Sequence, residues 1–468
     1  MISGRPMVSP AWAERFFRLR ERGTNVRTEV LGGATTFITM AYIIVVNPAI
    51  LSFAGIPQGP STVATILAAA FGSLAMGLYA NRPIAVAPYM GENAFIAFGL
   101  AAMGISWQLR LGAVFVSGLV FALITILRVR SWLANSISAS LKHSFAVGIG
   151  LFLAFIGLYE TGIVTSGAAG MAPEALLRGG ASVLSAPDVP VKIGPLHSPQ
   201  VLLAVFGFVL ISVLLYLRVR GGILLGIAAT AVLGYALGLG EAPRALAALP
   251  FRGEFSLAPI AFKLDIAGVL RLGFLPILLT LFLMGFLDTL GTLVGVGAAG
   301  GMLDEKGNFP NIERPMMVDA ATCVFGALAG TSTSGAYIES ATGIREGART
   351  GLASVTTAAL FAASLFFIPL VEPLQHLRYA YGPALIAVGV LMLGSIRNID
   401  FQDMTELVPA FVTIAVMVFT YNVANGLTAG LVLWPVFKIV TGRAREVKAG
   451  SAVLGLLCLI YFIFGLPH

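Results

Sequence analysis

This sequence is short of charge. Asp, Glu, Lys and Arg together make 11% of its 468 residues, against roughly a quarter in soluble domains. A larger buried core cannot explain the shortfall, because surface grows with volume. Surface that faces lipid can. Cysteine is scarcer still: Cys323 and Cys458 both lie in apolar runs. That excludes a disulfide framework and zinc-ligand spacing, and both read as small core hydrophobes. Four histidines with no paired spacing exclude a histidine metal cluster. No metal and no cofactor is expected. A phosphate loop is also missing, because Gly32-Gly33 and Gly295-Val-Gly297 are followed by no Lys-Ser/Thr pair.

What is present is 57% hydrophobic residues and a mean hydropathy of +0.91. Apolar runs long enough to cross a hydrocarbon layer about 30 Å thick recur along the chain. They predict an all-α polytopic membrane protein with spans near 31–52, 62–79, 84–100, 109–127, 143–160, 201–218 and 222–239. A second seven follow near 272–297, 316–330, 335–345, 351–370, 382–396, 406–421 and 423–441. The run 452–465 is left over; it crosses, re-enters or lies along the interface.

The net charge of +7 is distributed as topology rather than as a nucleic-acid patch. Arg5, Arg15, Arg18, Arg20, Arg22 and Arg27 precede the first span. With that basic tail cytoplasmic, fourteen spans place Arg128, Arg130, Lys142, Arg218, Arg220, Arg345, Arg349, Arg397, Lys438, Arg443 and Arg445 on the same side. No small-residue cleavage site follows a short apolar core, so a removable signal peptide is not expected.

Seven spans per half would invert the second half relative to the first. Gly222–Gly226 and Gly426–Gly430 open the seventh and fourteenth spans alike. The third span (residues 85–99, AVAPYMGENAFIAFG) and the tenth (residues 329–343, AGTSTSGAYIESATG) are both short, polar and broken early. Each reads as an extended stretch followed by a half-helix, because Pro88 has no N–H and Thr-Ser-Thr-Ser-Gly disfavours helix. Paired interrupted spans mark a transporter's binding site.

Three acids fall in or beside these segments: Glu92, Asp288 and Glu339. A carboxylate in hydrocarbon is costly, so these face a pathway and are suited to binding and releasing a proton. Asn93 offers a donor and an acceptor, or caps the half-helix. The N–H groups of Gly335, Ala336 and Tyr337 would open the tenth half-helix toward an electron-rich ligand atom. Phe95 and Tyr337 could stack on a planar ligand. Asp400, Asp403 and Glu406 form an acidic patch that reads as a solvated loop and helix start, with contact of Asp403 or Glu406 with the moving parts as the alternative. An intramembrane enzyme would need a nucleophile–base pair or a metal cluster, and neither is legible, so no enzyme is expected. An anion carrier would favour a cation at the broken spans, where none precedes Arg345.

Four stretches carry a family resemblance. Gly32–Leu51 (GGATTFITMAYIIVVNPAIL), Phe286–Gly291 (FLDTLG), Thr331–Ile344 (TSTSGAYIESATGI) and Asp400–Phe411 (DFQDMTELVPAF) resemble, in order, motifs of the AzgA-like adenine–guanine–hypoxanthine permeases. These sit within the nucleobase–cation symporter family that includes xanthine and uracil permeases. The resemblance implies a 7+7 inverted repeat, purine–proton symport by elevator-type alternating access, an inner-membrane location and frequent homodimers. It implies a basic cytoplasmic tail (1–27), a core domain (28–130 and 272–370) and a gate domain (131–240 and 371–441). A loop (241–271) and a C-terminal apolar segment (442–468) complete the chain. It places Asn93, Asp288 and Glu339 at the substrate site, with Asp403 nearby. Two positions depart from the pattern: Glu92 stands where an apolar residue is usual, and Tyr89 where Gly is. Sodium coupling, or another planar solute, stays open as an alternative.

Overall fold

The computed structural model describes residues 11–127, 136–169, 191–243, 245–271, 274–303 and 309–464. Arg5, Arg128 and Arg130 lie outside them. Fourteen segments cross the bundle, each within a few residues of the sequence reading. Spans 1 (Val26–Ser52), 2 (Gln58–Ala80), 4 (Trp107–Ile126), 5 (Ala139–Glu160) and 6 (Pro199–Tyr216) are long apolar helices. So are spans 8 (Leu275–Ala299), 11 (Gly351–His376), 12 (Arg378–Met392) and 14 (Val423–Val440). Spans 7 (Gly222–Ala236) and 13 (Met404–Phe419) are apolar but shorter. Span 9 (Glu313–Ala329) and the interrupted spans 3 and 10 complete the count. These last three are sheathed by the others, which is why they can be short and polar.

The helices sort into two packed groups. Spans 1, 2, 4, 8, 9 and 11 pack on one another, and spans 5, 6, 7, 12, 13 and 14 form the second group. Close approach inside the second group depends on glycine. A Cβ at Gly157 of span 5 would lie 2.8 Å from the Gly382 carbonyl of span 12, and one at Gly150 3.0 Å from the Gly389 carbonyl. The two small-residue pairs noted in the sequence make matching contacts. Gly222 and Gly226 seat span 7 on Leu214 and Ile211 of span 6, and Gly426 and Gly430 seat span 14 on Thr413 and Met417 of span 13. The leftover C-terminal run is a helix, Ala449–Phe464, packed on span 14.

Span 1 begins earlier than the apolar run suggests and carries a buried acid, Glu29. Its carboxylate accepts from the backbone N–H groups of Arg349 (2.7 Å), Thr350 (3.2 Å) and Ala353 (3.3 Å), so it caps the start of span 11 from a neighbouring helix.

Candidate functional site

Spans 3 and 10 meet head-on at the middle of the bundle. Strand β1 (Val86–Pro88) pairs antiparallel with β4 (Ser334–Ala336), with Val86 opposite Ala336 and Pro88 opposite Ser334. A second short antiparallel pair, β2 (Val164–Ser166) with β3 (Val191–Ile193), lies between spans 5 and 6. The β1–β4 ladder satisfies backbone that no helix could satisfy at this depth. Two bonds extend it: Tyr89 N–H donates to Thr333 O at 3.0 Å and Tyr337 N–H to Ala85 O at 2.9 Å. The Tyr337 hydroxyl donates to Pro88 O.

Beyond the ladder the two spans differ. In span 3 the helix starts at Met90 with Tyr89 at its N-cap, and residues 95–99 form a π-helical turn. Asn93 is therefore inside the helix, and the capping reading gives way. Its Nδ2 donates to Asn47 O at 3.2 Å. In span 10 the helix starts only at Ser340, with Glu339 at the N-cap. The amides read from the sequence as open ligand donors lie in or just after β4, where strand pairing fixes the backbone. Ala336 N–H donates to Asp319 Oδ2 at 3.0 Å, and Tyr337 N–H is taken by Ala85.

Burial sorts the candidates into two layers. Glu339 and Asp288 are partly exposed, with the two carboxylates acting on each other. Glu339 Oε1 accepts from the Tyr42 hydroxyl of span 1 at 2.9 Å, while its Oε2 has no partner among the described residues. Asp288 sits on a face of span 8 kept empty by glycine. A Cβ at Gly285 would meet only the Glu92 carboxylate (3.6 Å), one at Gly291 nothing within 4 Å, and one at Gly295 only Ile338 at 4.0 Å. Residues three or four apart share a helix face, so Gly285, Asp288, Gly291 and Gly295 line one unfilled strip.

Behind this layer, Glu92 is 1% exposed and Asn93 and Phe95 are 0% exposed. Neither oxygen of Glu92 accepts a hydrogen bond among the described residues, although the Thr333 hydroxyl stands beside it. Phe95 folds its ring over Gly99 and offers no free face, so it packs rather than stacks on a ligand in this conformation. Tyr337 keeps a nearly parallel ring neighbour instead: Tyr89, at 6.3 Å between centroids and 10° between planes.

Four groups were missed from the sequence. Asp319 of span 9 is fully buried and ties three spans together. Its Oδ2 takes the Ala336 N–H and the Thr289 hydroxyl (2.8 Å), and Thr289 in turn meets the Tyr89 hydroxyl at 2.8 Å. An acid inside a membrane span was the available signal. Tyr42 and Thr289 had none, being ordinary residues in apolar helices. Asn47 of span 1 is the fourth: besides receiving Asn93, its Nδ2 donates to Thr65 (2.8 Å) and Thr331 (3.1 Å).

Asp403 is elsewhere. It caps span 13 through Thr405 N–H (2.9 Å) and pairs with Arg443 (2.6 Å) and Lys438 (3.4 Å). Lys438 is buried and also holds Glu406 (3.0 Å) and Glu446 (2.9 Å). At the opposite end of the bundle, rings bridge the two helix groups. Phe53 and Phe98 stand 5.2 Å apart, Phe98 and Tyr421 5.9 Å, and Tyr421 and Phe152 5.3 Å.

Comparison with known proteins accords with this arrangement. A sequence profile of the xanthine/uracil permeases, described as a permease family, matches residues 27–429. The adenine permease AdeP of Escherichia coli (strain K12) is 40% identical over 96% of each chain. The guanine/hypoxanthine permease PbuG of Bacillus subtilis (strain 168) is 38% identical, covering 96% of this chain and 99% of its own. Among solved structures, the transmembrane domain of a cyanobacterium bicarbonate transporter, BicA, superposes with a TM-score of 0.62 at 16% identity. That match covers 87% of this chain and 97% of BicA, and the two share the seven-plus-seven fold. The chain is a multi-pass membrane permease, not an enzyme, and it belongs to the xanthine/uracil permease family.

Proposed function

We propose that the protein imports purine nucleobases by proton symport. The observation that carries this reading is the pair of partly buried acids, Asp288 and Glu339, close enough to act on each other where Asp288 borders an unfilled strip of span 8. A charged acceptor binds ring N–H groups more strongly than a neutral one, and two acids on facing spans can grip both edges of a planar base. The relatives named for adenine and for guanine and hypoxanthine support the substrate class. Tyr42 orients Glu339, and the Tyr337–Tyr89 rings border the same crossing.

The coupling proton resides on Asp288 or Glu339, the two candidate acids that are only partly buried. Glu92 was a third candidate. It is 1% exposed and meets no cation among the described residues, and it takes part only if the β1–β4 crossing opens. The first helix group acts as the core that carries the site and the second as the gate it moves against. The N-terminus lies in the cytoplasm of a cell whose inner membrane holds the protein, as a homodimer. Uptake of radiolabelled adenine, guanine and hypoxanthine is the test, in cells lacking their own permeases and with and without a proton uncoupler. Saturable uptake that collapses with the uncoupler is expected. No uptake of any purine by protein shown to be in the membrane overturns the substrate class. Uptake that ignores the uncoupler but follows a sodium gradient overturns the proton.

A further inference from the structure

One side chain of span 10 stands out of its packed surroundings. Residues 331–337 and Ser340 are buried, yet Ile338, between the Tyr337 ring and the Glu339 carboxyl, is 60% exposed. Its backbone is held on both sides. Ile338 O accepts from Ala341 N–H at 3.0 Å, Tyr337 is tied to Pro88, and Glu339 to Tyr42. A β-branched side chain is stiff at χ1, so Ile338 projects in a fixed direction.

That direction is toward the unfilled strip of span 8. A Cβ at Gly295 would meet Ile338 Cδ1 at 4.0 Å and nothing else within that distance. At the other end, a Cβ at Gly285 would meet only the Glu92 carboxylate, and midway one at Gly291 would meet nothing. The strip from Gly285 to Gly295 is about 15 Å long at a rise of 1.5 Å per residue. An acid closes one end, Ile338 closes the other, and Asp288 lies between them. The strip does not face lipid, because a carboxylate turned to hydrocarbon is costly. The exposed surface of Ile338 therefore belongs to the same space as Asp288. Small-molecule sites are built this way: a few polar groups fix orientation, and apolar side chains supply the walls.

We propose that Ile338 is a specificity-determining residue, whose side chain closes the Gly295 end of the site and sets the largest base admitted. The proposal rests on the purine reading and narrows it to bases without a bulky substituent. The acids hold the N–H edges of the base, and the Ile338 hydrocarbon limits how far its other end extends. Such a wall selects by size and shape, since it has no hydrogen bond to offer.

The test is uptake of radiolabelled adenine and guanine in cells lacking their own permeases, with N6-benzyladenine and O6-benzylguanine as competitors. The unmodified chain is expected to be inhibited weakly by both. Ile338→Ala removes the wall, so inhibition by the benzylated base should strengthen about tenfold, while KM for the parent base rises about threefold through lost contact. Ile338→Phe thickens the wall, so kcat/KM for the parent base should fall at least about tenfold. A second readout is independent of transport. The chain's own cysteines, Cys323 and Cys458, are buried, so Ile338→Cys should supply the thiol that reacts with N-ethylmaleimide, and a saturating transported purine should slow that reaction at least about threefold. No reaction at position 338, a reaction that a transported purine leaves unchanged, or an unaltered size preference in the Ala and Phe variants would each overturn the proposal while leaving the purine reading intact. Absence of purine uptake by the unmodified chain would instead overturn the purine reading, and the proposal with it.

Discussion

Span 3 leaves its strand at Pro88 and begins its helix at Met90, whereas span 10 leaves its strand at Ala336 and begins its helix at Ser340. The sequences differ in the way this requires. Met90-Gly-Glu-Asn-Ala continues directly as helix, while Tyr337-Ile-Glu339 makes a turn whose last residue is the N-cap. The consequence is depth. Span 3 turns its polar pair, Glu92 and Asn93, into the packed interior, and span 10 leaves Glu339 only partly buried. Two halves that look equivalent on sequence thus divide the work: one holds the crossing together, the other presents a carboxylate.

The sharpest way to break this comparison is at Glu339. Glu339→Gln removes the charged acceptor and is expected to cut purine uptake by about 10- to 100-fold, the effect of leaving one polar group unpaired. Asp288→Asn is expected to act comparably, and its effect should not simply add to that of Glu339→Gln, because groups sharing a site couple. Membrane abundance and thermal unfolding of both variants should match the unmodified chain. Normal uptake by Glu339→Gln would remove the site from span 10.

Tyr42→Phe is a finer probe of the same half. Deleting the hydroxyl leaves the Glu339 carboxyl unheld, so KM should rise by up to about tenfold, with folding intact. An unchanged KM would mean that the Tyr42–Glu339 bond breaks when substrate binds.

The span 3 half should respond far less. Neither Glu92 oxygen accepts a hydrogen bond among the described residues, and Gln has nearly the shape of Glu. Glu92→Gln is expected to keep uptake within about threefold and stability unchanged or improved, in contrast to Glu339→Gln. A loss as deep as that of Glu339→Gln would show that the crossing opens during transport and that Glu92 meets substrate or proton.

The division of span 3 from span 10 was only half legible in the sequence. Pro88 and the Thr-Ser-Thr-Ser-Gly run announced the breaks, because missing N–H groups and poor helix formers act locally. Where each helix restarted was not announced, since Glu339 becomes an N-cap only through the pairing of β4 with a strand some 250 residues away in the chain. That pairing also fixed the Ala336 and Tyr337 amides that looked open. Asp319 was overlooked inside a span counted as apolar, although the rule that flagged Asp288 applies to it equally. Asp288 and Glu339 were legible because an acid in a membrane helix is conspicuous whatever surrounds it.

The smallest effect is expected at Asp403, which the family resemblance placed near the site and the structure ties to the charged cluster between spans 13 and 14. The Thr405 hydrogen bonds, then the Arg443 guanidinium, hold its carboxyl well below the usual carboxylate range. A carboxyl with a depressed folded-state pKa adds stability above its unfolded value, near 3.9, and loses it only as pH falls through the folded value. The contribution is therefore complete at neutral pH. Asp403→Asn keeps a cap but drops the ion pairs, so it should cost about 1 kcal/mol or less. The gap between the two unfolding temperatures should be constant from about pH 6 to 8, begin to narrow near pH 4, and close only as pH falls through the folded value. Uptake by the variant should fall less than for Tyr42→Phe. A fall as large as that of Glu339→Gln would tie the charged cluster to the moving step and erase the distinction between the site and the end of the bundle.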